Sequence, residues 1–316
     1  MAYYGRRGGY RNGYRRGNPK VLFKLITLII FIAAIALAVI QTTRAQKIAS
    51  NEKKLKSEVA SLQSKLETVQ NYVPAYILEG ASDTAFAYQK LYPEMMAERP
   101  QTLDEIDTRA IYLTFEGGPS KNTENILDYL KDSGQKATFF ITGENIAGNE
   151  AIIKRMTDEG HTVGVCSFST DYKTIYQSID AFLADFNKAY TAIYNACGVY
   201  PNIFRFPCGS INEYNSKIYR ELISEMTRRG FVFFDWNVNS DDNGDNQEDW
   251  EAIVQDVAED VKDYDQAIVL MHDADDNSST ARAVKYMLNY LGKNGYYFAN
   301  IKSTTIPVTF DYFNND

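Results

Sequence analysis

The stretch Ala110-Ile111-Tyr112-Leu113-Thr114-Phe115-Glu116-Gly117-Gly118-Pro119-Ser120 decides how the rest of this 316-residue chain is organised. Its apolar first half predicts a short buried strand, which ends at Glu116. Gly117 and Gly118 allow a sharp turn that brings bare backbone close to a ligand, and Pro119 favours the start of a helix. An acidic residue at the carboxyl end of a strand, followed by such a turn, is where α/β enzymes place their chemistry.

Charge is distributed unevenly along the chain. Residues 1–24 carry seven basic residues and no acidic one, whereas the remainder has 26 Lys and Arg against 41 Asp and Glu, a net charge of −15. An acidic body argues against nucleic acid as a partner and against electrostatic steering of an anionic polymer. Three cysteines are too few for a disulfide framework, and only two histidines are present, which limits any metal site.

The N-terminal 40 residues are predicted to anchor the protein in a membrane. Residues 1–20 are rich in Tyr, Gly and Arg and predict a disordered, basic cytoplasmic tail, while residues 21–40 are apolar except for Lys24 and are long enough to span a bilayer. Basic residues on the N-terminal side place that end in the cytoplasm and the C-terminal domain outside the cell membrane. The alternative is a cleaved signal peptide, with Ala36-Leu37-Ala38 at the cleavage site.

Residues 44–73 are expected to form a helical stalk. Apolar residues alternate at spacings of four and three, which is a heptad pattern, at Leu55, Val59, Leu62, Leu66, Val69 and Val73. A parallel coiled coil that makes a homodimer and a single amphipathic helix both fit this pattern. Residues 74–108 are interrupted by three prolines and predict a neck, with a short helix near Thr84–Leu91.

Beyond Arg109 the sequence alternates between apolar strands and amphipathic helices. The predicted strands are 111–115, 137–141, 161–165, 202–206, 231–234, 267–271 and 296–299. The predicted helices are 122–133, 150–159, 174–196, 214–229, 249–263 and 280–293. This alternation is typical of an α/β fold with a helix-covered parallel sheet, and about seven such units suit a closed or nearly closed barrel. Residues 303–316 are predicted to form a C-terminal tail.

Five stretches, in order, resemble the motifs of the polysaccharide deacetylase family, also called the NodB-homology domain, over residues 109–302. They are Thr114–Pro119, Gly160–Thr170, Phe204–Ser210, Phe234–Asp242 and Ile268–Asp273. The resemblance implies a distorted (β/α) barrel of about seven strands. It also implies a hydrolase that removes N-acetyl groups from a glycan with the help of a divalent metal such as zinc.

The three metal-ligand positions of the family are altered in this chain. The family holds its metal with an aspartate of the first motif and two histidines of the second, and the matching positions here are Gly117, Cys166 and Thr170. Glycine, threonine and one thiol are not a divalent-metal set. We therefore expect no metal cofactor.

The other functional positions of the family are kept or replaced by related groups. The resemblance makes Glu116 the base, Arg205 its orienting partner, and Asp242 the acid that tunes His272, the general acid. Three further residues are implied in substrate binding: Trp236 as a sugar-facing side chain, and Cys208 and Gly209 through their backbone. The alternatives are that Glu116 and Arg205 form a purely structural ion pair and that Trp236 only packs in the barrel.

Three functions remain open at this point. The first is an envelope protein that has lost metal-dependent catalysis and binds an envelope glycan or another envelope protein. The second is an active N-deacetylase of peptidoglycan or another N-acetylated glycan, with a rearranged metal site. The third is a structural scaffold. We also expect Cys166 and Cys208 to lie near each other, which leaves a disulfide open, and Cys197 to be unpaired.

Overall fold

The computed structural model describes residues 86–310, together with residues 47, 53–56 and 59. The isolated N-terminal residues are helical, and Leu55 and Val59 among them are exposed. The predicted cytoplasmic tail, the membrane anchor, most of the stalk and the last six residues lie outside the described residues. Among the residues that are described, no helix is long and apolar enough to cross a membrane.

One parallel sheet of eight strands organises the domain. Its strands are β1 Ala110–Glu116, β2 Thr138–Thr142, β3 Thr162–Ser167, β4 Ile203–Phe204, β5 Val232–Phe233, β6 Val238–Asn239, β7 Ala267–His272 and β8 Tyr297–Phe298. The order across the sheet is β5-β4-β3-β2-β1-β7-β6, and β8 pairs with the first two residues of β1. Every strand pair is parallel, as the alternation of strands and helices predicted.

The sheet is a half-barrel that stays open between β5 and β6. Of the two expected forms, a closed or a nearly closed barrel, the closed one is not formed. The expected α/β architecture with a parallel sheet of about seven strands is confirmed. Only residues 234–237 separate these two strands, whereas a parallel pair needs a crossover of about a dozen residues or more. β6 was not predicted, since it has two residues in a polar stretch.

Seven helices are described between residues 86 and 310. They are α1 Thr123–Ser133, α2 Glu150–Asp158, α3 Tyr172–Ile175, α4 Ile179–Cys197, α5 Tyr219–Arg228, α6 Trp250–Asp260 and α7 Ser278–Lys293. Three short 3₁₀ helices accompany them at Ala87–Lys90, Gly143–Asn145 and Val261–Asp263. A buried core of phenylalanine and branched aliphatic side chains fills the space between the sheet and these helices.

Three helix predictions are corrected by side-chain caps and turns. The helix expected over 174–196 is two helices, because Ser178 accepts a hydrogen bond from the backbone N–H of Ala181 and starts α4 anew. The helix expected from residue 214 begins only at Tyr219, because Asn212 and Asn215 hydrogen-bond to nearby backbone N–H groups and form a turn. Pro119 lies in the turn after β1, four residues before α1, and not at the start of a helix.

Candidate active site

An open cavity of about 1170 Å³ lies at the carboxyl ends of the strands. Seven of the predicted positions line it: Glu116, Gly117, Cys166, Thr170, Cys208, Trp236 and His272. The parallel register sets Glu116 at the end of β1 directly beside His272 at the end of β7. Arg205 and Asp242 are fully buried and contact the cavity through Glu116 and His272. Gly209 is buried and is not among the lining residues.

Glu116 is nearly buried and has two partners at the base of the cavity. One carboxylate oxygen lies 3.7 Å from Arg205 Nη1, and the other accepts a hydrogen bond from the Cys166 thiol at 3.4 Å. Arg205 is held by its other nitrogens, which donate to the backbone oxygens of Phe234 at 3.0 Å and Asp235 at 3.2 Å. Arg205 Nη1 has no hydrogen-bond partner, so the guanidinium faces Glu116 at a distance longer than a direct hydrogen bond.

Asp242 orients His272 by two contacts and is itself held by Thr280. His272 Nδ1 lies 2.7 Å from Asp242 Oδ1, and the backbone N–H of His272 donates to Asp242 Oδ2 at 2.8 Å. Thr280 donates its hydroxyl to the same Oδ2 at 2.6 Å. Burial lowers the pKa of His272, but the hydrogen bond and the charge of Asp242 outweigh it, and the net pKa is raised. The pair has the geometry of a carboxylate-supported general acid.

Asn243 contacts the other ring nitrogen of His272, which sequence reasoning missed. Its side-chain nitrogen lies 3.1 Å from His272 Nε2, and Asn243 itself is exposed at the cavity. Which atom of the Asn243 amide faces the ring follows from the protonation of Nε2. The only sequence signal was that Asn243 directly follows Asp242.

The loop that carries Cys208 and Gly209 is held by the C-terminal segment. Both residues have positive φ angles, 63° and 87°, and a Cβ at Gly209 would lie 2.4 Å from the ring of Phe310. Phe310 also packs edge-on against Trp236, with ring centroids 4.9 Å apart. Trp236 is half-buried: its ring packs against Phe310, lies 5.4 Å from the Arg205 guanidinium, and also lines the cavity. This position fits both packing in the barrel and contact with a ligand.

Asp235 connects that loop to the C-terminal segment, and sequence reasoning missed it as well. Its buried carboxylate accepts hydrogen bonds from the backbone and hydroxyl of Ser210 and from the backbone N–H of Phe310. Burial raises the pKa of Asp235, and these hydrogen bonds oppose the rise. The contact joins positions 75 residues apart, so no local pattern could have indicated it.

Asp273 fixes the glycine turn after β1. Its buried carboxylate accepts hydrogen bonds from the hydroxyls of Ser120 and Thr123. A Cβ at Gly118 would lie 2.1 Å from the same carboxylate, so a side chain does not fit at Gly118. Asp273 therefore ties the turn that follows β1 to the start of α1.

The family's metal does not fit the residues at the three ligand positions. Gly117 has no side chain, and Thr170 is exposed with only a hydroxyl. Burial and the neighbouring Glu116 raise the pKa of the Cys166 thiol well above its usual value, whereas a cysteine ligand is a thiolate. In the described part of the chain, no group of three His, Cys, Asp or Glu side chains could hold a metal ion.

The three cysteines are free thiols in the structure. Cys166 and Cys208 line the same cavity, but they form no disulfide. Cys197 lies at the end of α4, where its thiol donates to the backbone oxygen of Ile193. The structure therefore agrees with the expectation that Cys166 and Cys208 lie at one cavity and that Cys197 is unpaired. It shows no disulfide between Cys166 and Cys208.

Comparison with known proteins identifies the family. The family model described as polysaccharide deacetylase matches residues 104–226. A peptidoglycan-N-acetylglucosamine deacetylase of Bacillus cereus is 29% identical over 221 residues, which are 69% of this chain and 78% of that protein. The chain is also similar to two crystal structures that carry the same half-barrel.

The first is the catalytic domain of a peptidoglycan N-acetylglucosamine deacetylase from Eubacterium rectale, with a TM-score of 0.64 and 32% identity over 68% of this chain and 98% of that one. The second is a polysaccharide deacetylase from Bacillus cereus, with a TM-score of 0.57 and 30% identity over 65% of this chain and 98% of that one. Together with the five motifs and the parallel half-barrel, these similarities show that the chain belongs to the polysaccharide deacetylase family.

Proposed function

We propose that this chain is a membrane-anchored, extracytoplasmic protein of the cell envelope that binds a glycan, or another envelope protein, in the cavity at the strand ends. In this proposal the cavity no longer catalyses metal-dependent deacetylation. The anchor is inferred from the charge and hydropathy of residues 1–40. Peptidoglycan is the first glycan to consider, because relatives of this chain are named for deacetylating it.

The observation that carries the proposal is the environment of Cys166. This residue stands at a family ligand position, yet its thiol is buried and donates to Glu116. The negative charge of this carboxylate is already compensated by the buried guanidinium that it faces, and its other oxygen accepts from a neutral thiol. It therefore needs no metal cation. The other two ligand positions offer no carboxylate and no imidazole, so nothing there compensates a divalent charge.

An active N-deacetylase is the second candidate. It is favoured by the two retained pairs, Glu116 with Arg205 and Asp242 with His272, which set a candidate base and a candidate acid side by side at the same cavity. Amide hydrolysis also needs a stabilised oxyanion, and the metal supplies several kcal/mol of that stabilisation in metal-dependent hydrolases. Without a fitting metal site, the retained pairs are insufficient for the family reaction.

Restoring the ligand set tests the proposal. Gly117→Asp, Cys166→His and Thr170→His are combined in the full-length chain, and zinc binding and N-deacetylation of chitooligosaccharides are measured. We expect the wild type to be inactive with or without added zinc, and the triple variant to bind zinc and regain weak hydrolysis. The backbone at Gly117 has a φ of 100°, so the aspartate is expected to cost about 1–3 kcal/mol of stability.

A double variant, Cys166→His with Thr170→His, is the matched control, because it adds both imidazoles and leaves the strained position unchanged. Zinc-dependent hydrolysis by the wild type would refute the proposal and establish the active enzyme. A folded triple variant that binds no zinc would mean that the cavity has been remodelled beyond the three ligand positions.

A further inference from the structure

A second concave surface lies on the paired helices α6 and α7. It has a volume of about 630 Å³ and shares no residue with the cavity at the strand ends. We call it the α6–α7 platform and define it by Trp250, Lys285, Tyr286, Asn289, Tyr290 and Lys293. Nothing in the function proposed above uses these residues.

Aromatic rings form the centre of the platform. Trp250 at the start of α6 stacks on Tyr286 of α7, with ring centroids 4.2 Å apart and planes inclined by 29°. The guanidinium of Arg282 lies 4.5 Å from the centre of the Trp250 ring. Arg282, Tyr286 and Tyr290 follow each other at four-residue spacing, so they lie along one face of α7. The rings of Trp250 and Tyr286 are therefore held in place by each other and by Arg282.

The rings are exposed to a degree that core packing does not explain. Tyr286 is 44% and Tyr290 is 52% exposed. Single exposed aromatic residues are common, but adjacent ones in a concavity form a patch of the kind that marks a binding site. Rigid aromatic surfaces with polar edges suit pyranose rings, whose C–H faces stack on the ring while their hydroxyls hydrogen-bond at its margin.

Polar side chains flank these rings on the same helix. Lys285, Asn289 and Lys293 form a second row at four-residue spacing, and all three are exposed. An amide and two ammonium groups supply donors for hydroxyl and carboxylate oxygens. A concave shape with convergent polar groups is typical of a ligand site.

The charge of the platform differs from that of the rest of the domain. Two lysines line it against one acid, Glu251, and Arg282 adds a third cation beside Trp250. The chain after residue 24 carries a net charge of −15. Because charges farther away than the Debye length of about 8 Å at physiological salt are largely screened, the cations of the platform set its local charge. The platform is therefore complementary to an anionic ligand.

We propose that the α6–α7 platform binds a carboxylate-bearing glycan strand of the peptidoglycan type, with sugar rings stacked on Tyr286 and Tyr290 and a carboxylate at Lys285 or Lys293. This site goes beyond the proposed function of the cavity. It would hold the glycan away from the carboxyl ends of the β-strands, and it needs none of the family motifs. A domain with both sites contacts a glycan at two places.

Cosedimentation with purified peptidoglycan tests the proposal. The full-length chain is compared with Tyr286→Ala/Tyr290→Ala and with Lys285→Glu/Lys293→Glu. Each pair is expected to raise the apparent Kd about tenfold, because each removes contacts of the size of an aromatic or ion pair. Amidation of the peptidoglycan carboxylates should weaken binding of the wild type and leave the lysine variant unchanged. The matched controls are Tyr264→Ala, which removes a ring that is 43% exposed elsewhere, and Lys262→Glu at another exposed lysine.

The proposal would be overturned if both double variants bound peptidoglycan with the apparent Kd of the wild type. It would also be overturned if the two control variants lost as much affinity as the platform variants. Transfer of the chain to phosphatidylglycerol vesicles, with no dependence on peptidoglycan, would also overturn it and point to a membrane surface. A Trp236→Ala variant that binds peptidoglycan like the wild type, while the platform variants do not, would support the platform and refute glycan binding in the cavity.

Discussion

At the scale of single residues, the two histidines of the chain have opposite surroundings. His161 directly precedes β3 in a buried site, where its Nδ1 accepts a hydrogen bond from the backbone N–H of Ala137, and burial lowers its pKa to about 4. Asp242 holds the pKa of His272 above its ordinary value despite burial. His161 is thus a neutral structural residue, and His272 is charged over a wider pH range than a free histidine.

The two pKa shifts make the stability of the fold depend on pH in opposite directions. The raised pKa of His272 means that its contribution is fully present below the ordinary value of about 6.5 and is lost as the pH rises through the folded-state pKa. The lowered pKa of His161 means that its contribution is present above about 6.5 and is lost as the pH falls towards about 4.

An NMR titration of the imidazole signals checks both pKa shifts at once. The chain has only two histidines, so the signal that disappears in His161→Gln belongs to His161 and the other to His272. We expect one imidazole to titrate near 4 and the other above 6.5, and Asp242→Asn to lower only the second. Asp256→Asn, at a carboxylate bonded to Asn246, is the control. Two titrations near 6.5, both insensitive to Asp242→Asn, would contradict the geometry of the pair.

Sequence reasoning located the site residues that stand at strand ends and missed those that act across the fold. Glu116 and His272 could be identified from the sequence because each ends an apolar stretch in a recognisable motif. Asp235 and Phe310 were not, because their contact depends on where the C-terminal segment crosses the domain. The positive φ of Cys208 was equally hidden, because no glycine marks it.

At the scale of elements, one buried arginine makes several of the hydrogen bonds that attach the segment before the sheet. Arg229, which follows α5, donates to four backbone oxygens of residues 88–95 and pairs with the buried Glu225 at 2.7 Å. A Cβ at Gly230 would lie 2.0 Å from the backbone oxygen of Ala97, so the chain passes too closely for a side chain. These contacts dock the neck onto α5.

Arg229→Met should therefore destabilise the domain by about 3–5 kcal/mol, because it leaves Glu225 buried without its closest partner and frees the four carbonyls. Arg228→Met is the matched control. It removes the other arginine that pairs with Glu225, but that side chain is 42% exposed and the cost is expected to be about 1 kcal/mol or less. Urea denaturation measures both. Equal costs would show that the neck is held by other contacts.

Element boundaries were predictable where periodicity was long and not where side chains cap the backbone. The heptad-like spacing of apolar residues in α7 gave its extent to within two residues. The start of α3 depends on the cap at Asp171, and the division between α3 and α4 depends on the cap at Ser178. Such caps are invisible to hydrophobic periodicity.

At the scale of the whole molecule, strand and helix alternation predicted a parallel sheet but not where it opens. The sheet is open because the four residues between β5 and β6 are too few to connect two paired parallel strands. This could not be predicted, since β6 was not recognised in the sequence. The membrane anchor and the stalk are predictions from sequence alone, and they determine whether the domain acts as a monomer or in pairs.

Leu62→Lys with Leu66→Lys should abolish crosslinking between C-terminal domains, because two charges in the apolar seam of residues 44–73 disrupt a parallel coiled coil. Ser57→Lys with Ser64→Lys is the control, because it adds the same charges outside the seam. Crosslinking of the full-length chain in membranes is the measurement. A wild type that is monomeric at every accessible concentration would refute the coiled coil.

The metal content of the purified full-length chain tests the central claim most directly. The chain is incubated with excess zinc, dialysed, and analysed for bound metal beside a Cys166→Ala variant. We expect far less than one zinc per chain in both, because the ligand positions present a glycine, an exposed threonine and a thiol kept neutral by burial. One zinc per wild-type chain, lost in Cys166→Ala, would contradict this account.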